Sequence, residues 1–175
     1  MTDPTPPNGP DDAPVVRLSG PWLLLTRDPE TVVGQGESVR RRGGVVRRLQ
    51  GTAMRTQAGL HAEFARELQF PTYFGHNWAA LEDCLTDLEW LPAPAYLVVI
   101  EDADQVLIDE PIERTGLFGD LLIGAARAWA TPVADGEWWD RLGVAFHVVL
   151  LPADSACEMC VIDRWGEAGV HVELV

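Results

Sequence analysis

Phe70-Pro-Thr-Tyr-Phe-Gly-His-Asn-Trp-Ala-Ala-Leu-Glu-Asp-Cys-Leu-Thr86, followed by Asp87 and Leu88, is the stretch on which the fold turns. Pro71 cannot continue a helix, so whatever helix precedes it stops there. Asn77 can cap a new one, and Trp78, Leu81, Cys84, Leu85 and Leu88 then recur at helical spacing. This predicts a helix from Asn77 to about Leu88 with that stripe turned inward. Ala79, Glu82, Asp83 and Thr86 are left facing water, and Ala79, Asp83 and Asp87 fall on one line, four residues apart. Ahead of the helix, residues 71–77 form a short loop with two aromatics, in which Gly75 is expected to let the chain turn tightly. The product is a convex ridge, with an aromatic at its entrance and carboxylates along the helix. A carboxylate fixed on a rigid helix can enter a cationic pocket and substitute for a phosphate through charge-assisted hydrogen bonds. Anchors of this kind dominate interface energetics.

Outward from this stretch, strand-like and helix-like segments alternate. Thr56 is expected to cap a helix whose stripe is Leu60, Phe64 and Leu68. Before it, residues 45–49 and 21–26 read as short strands. Between those two strands, residues 27–44 are rich in charge and glycine, and the Arg40, Arg41, Arg42 cluster is expected in a solvated turn. After the ridge, residues 96–100 and 144–151 are short continuous apolar runs, as in strands buried on both faces. Residues 102–107 fit a brief helix. Thr115 is expected to cap a helix running through Trp129, with Leu117, Leu121, Leu122, Ala125 and Ala128 inside. Residues 132–143 read as a loop containing Trp138 and Trp139, and 161–162 and 170–175 allow further strands. Such alternation predicts an α/β domain with a largely parallel sheet.

The 175 residues suffice for one domain with a real core. Residues 1–14, with five prolines and three aspartates, read as a flexible tail without the order of a secretion signal. No apolar run is long enough to span a membrane, so a cytoplasmic protein is expected. Twenty-seven acidic residues face thirteen basic ones, a formal charge of −14. A field of that sign repels phosphate backbones and attracts a basic protein, so direct nucleic-acid binding is not expected. Cys157 and Cys160 form a lone C-x-x-C with no second pair to complete a zinc site. Because Val161 and Ile162 read as extended, a redox pair opening a helix is not expected either. His61, His76, His147 and His171 are scattered, with no nucleophile elbow and no phosphate-binding glycine loop. Neither catalysis, nor a metal, nor a cofactor is expected.

Residues 70–86 resemble the signature of the barstar family of ribonuclease inhibitors: Pro, one residue, an aromatic pair, Gly, one residue, Asn, then a helix reading Ala-Leu-x-Asp-Cys-Leu-Thr. The flanking elements agree, so the resemblance covers roughly residues 45–153. It implies a barstar-like α/β fold, a three-stranded parallel sheet packed with helices. Residues 15–44 and 154–175 are then N- and C-terminal extensions and 1–14 a disordered tail. It further implies a protein without catalytic activity that covers the active site of a ribonuclease. By position, Asp83 matches the family's chief inhibitory carboxylate. Tyr73 matches the aromatic that packs on the enzyme's catalytic histidine. Gly75 and Asn77 match the contact loop, and Thr86 lies on the late contact edge. His76 stands beside the ridge. Ala79 replaces a second contact aspartate and Glu82 an aromatic, while acidic contacts of the penultimate helix fall near Ala125 and Trp129. Glu82 and Asp87 are the residues able to replace some of that charge. The partner implied is a basic ribonuclease toxin, bound one-to-one and neutralised in the cytoplasm that makes it, as by an antitoxin or immunity protein. An alternative keeps the fold as an interaction or regulatory module with no ribonuclease target, working through Arg40–Arg42 or the tryptophan-bearing loop.

Overall fold

The structure is a computed structural model and describes residues 13–136, 140–154 and 157–175. The expected tail, through residue 12, lies outside the described residues, as do Trp138 and Trp139. The strands are β1 (Leu23–Leu25), β2 (Val45–Gln50), β3 (Ala95–Glu101), β4 (Ala145–Leu151) and β5 (Glu173–Leu174). The helices are α1 (Pro29–Arg41), α2 (Gln57–Glu67), α3 (Trp78–Asp87), α4 (Ile112–Ala130) and α5 (Glu158–Glu167). Short 3-10 turns occupy Pro14–Val16, Gly51–Ala53 and Ala103–Gln105.

The sheet has five strands, not the three implied by the resemblance, in the order β2-β3-β4-β1-β5 with every pairing parallel. The reason is that both flanking segments add to it. β1 pairs with β4 through Leu24 opposite Val149, and β5 then pairs with β1. The three expected strands are therefore one side of a wider sheet.

Side chains alternate across this sheet and feed two separate cores. Leu23, Leu25, Tyr96, Val98, Ile100, Phe146, Val148 and Leu150 face α2, α3, α4 and α5. Leu24, Leu97, Val99 and Val149 face the other way and are covered by Val32 and Val39 of α1 and by Val15. His147 points to this second side, where its ring nitrogens lie 3.0 Å from the Pro21 and Arg17 carbonyls. It thereby ties the incoming chain to the sheet.

Four sequence expectations change. The charge- and glycine-rich segment 27–44 is mostly α1: Asp28 caps it by accepting from the Glu30 and Thr31 amides, Pro29 opens it, and Arg40 and Arg41, expected in a solvated turn, are exposed but sit in its last helical turn. The residues after Cys157 are not extended but helical, because Val161 and Trp165, four apart, bury a stripe in the main core. Thr115 does not cap α4, which begins three residues earlier, and its buried hydroxyl has no partner among the described residues. Leu117 and Ala128 are exposed rather than inside.

The C-terminal segment is seated by two glycines of α4. A Cβ on Gly116 would lie 2.7 Å from the Ala168 carbonyl oxygen, and one on Gly119 would lie 2.4 Å from a Val170 methyl. Val170 is buried and stiff at its branched carbon, so it cannot yield cheaply. Gly124, further along α4, has open space around it. Gly119→Ala should therefore destabilise the protein by about 1–3 kcal/mol. Gly124→Ala should stabilise it by about 0.5–1 kcal/mol. Urea unfolding of the two variants checks this opposition of sign.

Candidate functional site: the α3 ridge

The helix expected from Asn77 forms as α3. Asn77 Oδ1 accepts from the Ala80 amide at 2.9 Å, while Nδ2 donates to the Gly75 carbonyl at 3.2 Å. One side chain thus caps the helix and ties the preceding loop to it. Gly75 is needed for space rather than for its backbone angles, since a Cβ there would sit 2.9 Å from Asn77 Nδ2. The left-handed residue in this loop is His76, with φ of 48°.

The loop rests on an aromatic bed. Phe74 is buried, with its ring 4.9 Å from Phe70 and 4.7 Å from His76. Trp78 donates through Nε1 to Gln57 at 3.0 Å, which joins the start of α3 to the start of α2. Next in sequence to buried Phe74, Tyr73 stands 76% exposed. Beneath them lies His61, buried, 5.0 Å edge-on to Trp78 and 6.1 Å from Phe74. Neither of its ring nitrogens has a hydrogen-bond partner among the described residues. Burial pushes its pKa below 6.5; the nearby His76 carbonyl opposes this and the His76 charge adds to it.

On the outer side of α3, Ala79, Glu82, Asp83 and Asp87 are exposed and Thr86 is half-buried. Leu81, Cys84 and Leu85 face the core as the spacing predicts. The Thr86 hydroxyl donates to the Glu82 and Asp83 carbonyls of its own helix. Asp83 and Asp87 have no ion-pair partner among the described residues. Burial, and then these two carboxylates, raise the Cys84 thiol above its ordinary range.

The placement of charge on α3 runs against helix stability. Its first turn carries no acid and its last turn no base, while Glu82, Asp83 and Asp87 fall from its middle to its negative C-terminal end. Carboxylates there cost a few tenths of a kcal/mol, up to about 1, against the helix dipole. Folding does not account for them. The structure brings together Tyr73, Gly75, His76, Asn77, Ala79, Glu82, Asp83, Thr86 and Asp87 on this loop and helix face. Ala125 and Trp129, by contrast, are core residues, and Trp129 Nε1 donates to the Leu85 carbonyl at 2.7 Å. What sequence spacing missed is the neighbour across the ridge: Leu117 and Asp120 of α4 line one groove with Ala79 and Glu82. Only a helix packing angle could have placed them there.

The sequence profile described as Barstar (barnase inhibitor) matches residues 45–150. The chain belongs to the barstar family. No curated protein sequence matches it. Among solved structures it is similar to the ORC2 protein of Aeropyrum pernix in its ADPNP-ADP complexes, with a TM-score of 0.52 at 12% identity. That alignment covers 87% of this chain and 40% of the other, so the barstar-family chain spans well under half of that protein. The likeness is one of fold alone.

A second concavity, of about 360 Å³, lies at the carboxyl ends of the strands among Arg27, Gln50, Glu101, Asp102 and Asp154. In open parallel sheets this is where phosphates are often held, on helix N-termini. Here Asp28 already occupies the amides at the start of α1, its pKa lowered first by the Thr31 hydroxyl and then by the Glu30 amide. All thirteen basic residues are arginine, so the chain has no lysine for a P-loop. Cys157 and Cys160 are free thiols at the start of α5. Cys157 is held above its ordinary pKa by burial and then by Asp104 and Asp154, the opposite of a reactive thiolate. Among the described residues no group of His, Cys, Asp or Glu is placed to hold a metal ion. No helix among them is long and apolar enough to cross a membrane.

Two expectations follow for the ridge. Asn77→Ala should cost about 1 kcal/mol of stability through loss of the cap, read from the thermal midpoint. His61, with its pKa below 6.5, contributes stability that is present above that pH and lost as pH falls through it. The unfolded chain then takes up a proton that the folded one refuses. Urea midpoints between pH 7.5 and 5 should therefore fall more steeply in the wild type than in His61→Leu.

Proposed function

We propose that the protein inhibits a small basic ribonuclease by seating the α3 ridge in its active site, without catalysing a reaction itself. The observation that carries this reading is Asp83: an exposed carboxylate without an ion-pair partner, held on a rigid capped helix at the family's central position. In a nuclease pocket built for phosphate it accepts charge-assisted hydrogen bonds from arginine, lysine or protonated histidine. Exposed Tyr73 offers a flat face to a ring beside that pocket, and the Asn77 bridge fixes the distance between the two groups. The excess of acidic residues steers a basic partner toward the complex and makes association salt-sensitive. Ala79 in place of a carboxylate moves the acidic weight toward Glu82, Asp83 and Asp87, which favours a target with its cations set differently along the groove.

The test is inhibition of barnase and a panel of small basic microbial ribonucleases by the purified chain, with one-to-one stoichiometry expected against the matched target. Asp83→Ala should weaken inhibition by at least about 2 kcal/mol, roughly thirtyfold. Unchanged inhibition by that variant removes the assignment of the ridge.

A further inference from the structure

Cys157 and Cys160 have no part in the ridge. A redox pair is not expected from a sequence in which Val161 and Ile162 read as extended, but in the structure both lie within α5. Cys157 is the N-cap of that helix and Cys160 falls in its first turn. The motif therefore follows a strand, β4, and opens a helix, which is the setting of a dithiol pair. Residues three apart on a helix stand roughly 5–6 Å apart at Cβ. A disulfide asks for about 3.5–4.5 Å. The small difference is taken up at the cap, where the Cys157 side chain makes no capping bond to α5. Partial burial, then Asp104 and Asp154, and last a charge on Cys160 hold the Cys157 thiol up, so the two sulfurs sense one another. Cys160 is exposed and Cys157 half-buried, whereas Cys84 is buried in the core.

We propose that Cys157 and Cys160 form a reversible disulfide, closed by a small-molecule disulfide such as oxidised glutathione and reopened by a thiol. The exposed Cys160 thiolate attacks one sulfur of the oxidant, forming a mixed disulfide and releasing one small thiolate. Cys157 then gives its proton to solvent, attacks the Cys160 sulfur and displaces the second small thiolate. Two electrons pass from the pair to the oxidant, whose S–S bond breaks as the one in the protein forms. The two released thiolates take up the two protons. Asp104 and Asp154 disfavour a thiolate at Cys157, which makes it a poor leaving group once the bond has closed. That suits a modification the chain retains rather than an oxidoreductase that passes its disulfide on. The closed ring ties down the first turn of the helix that carries Val161 and Trp165 into the main core.

The full chain is equilibrated in glutathione buffers of rising oxidised fraction, quenched in acid, alkylated and weighed by mass spectrometry. One species that has lost two hydrogens is expected, with fragment spectra placing the bond between Cys157 and Cys160 and Cys84 still a thiol. Dithiothreitol should restore all three thiols. Cys157→Ser should accumulate a stable mixed disulfide on Cys160; serine is a favoured cap, so this variant is expected to fold. Cys160→Ser should react with oxidised glutathione more slowly than Cys157→Ser, by at least about threefold. Glutathione held on both cysteines without closure, a bond to Cys84, or three thiols persisting in oxidised glutathione alone would overturn the disulfide. Equal rates in the two variants would overturn the order of attack. The readout is the mass of the chain by itself, so none of these results touches the inhibitor reading, which stands or falls on Asp83→Ala.

Discussion

A parallel sheet buried on both faces must be covered on both, and this requirement organises the molecule. β3 and β4 are apolar at every position from Ala95 to Ile100 and, His147 apart, from Ala145 to Leu150. Four helices cover one face. The other is closed by α1 and the Pro14–Val16 turn, which come from the segment ahead of the family's core. Without them Leu97, Val99 and Val149 would face water. The flanking segments are therefore structural members: α1 shields a face, β1 and β5 widen the sheet, and Trp165 enters the main core.

The ridge is built on the better-covered face, and its rigidity comes from below. α3 is pressed on the core by Leu81 and Leu85, fastened to α2 through Trp78 and Gln57, and fastened to the end of α4 through the Leu85 carbonyl. The entrance loop gains its fixed form from Phe74 and from the two hydrogen bonds of Asn77. A carboxylate carried on such a support loses little freedom on binding, which is the main way a small surface gains affinity. The cost is visible in the buried imidazole of His61 and in the acids set against the helix dipole.

Much of this was legible in the sequence where one local rule acted alone. The caps at Thr56 and Asn77, the stripe through Leu81 and Leu85, the short strand β2 with its β-branched start, and the apolar runs of β3 and β4 all emerged as read. α1 was hidden because Gly34, Gly36 and a β-branched pair speak against a helix, although Asp28 and Pro29 announced its start. Burial of Val32 and Val39 overrode propensity. In α5 the adjacent Val161 and Ile162 resembled a strand, and only Trp165, one turn on, reveals the helical period. Thr115 had the chemistry of a cap but lies inside α4. The shared outer face of the candidate residues on α3 was readable from a single helix, whereas Leu117 and Asp120 come beside Ala79 and Glu82 only through packing.

The aspartate that caps α1 has a further consequence. Asp28 fills the helix N-terminus nearest the strand ends with a side chain of the protein itself. The opening that this architecture commonly offers to an anion is self-occupied. The cap at the strand ends and the outer face of α3 draw on separate side chains, Asp28 for the one and Asn77 for the helix that carries the other.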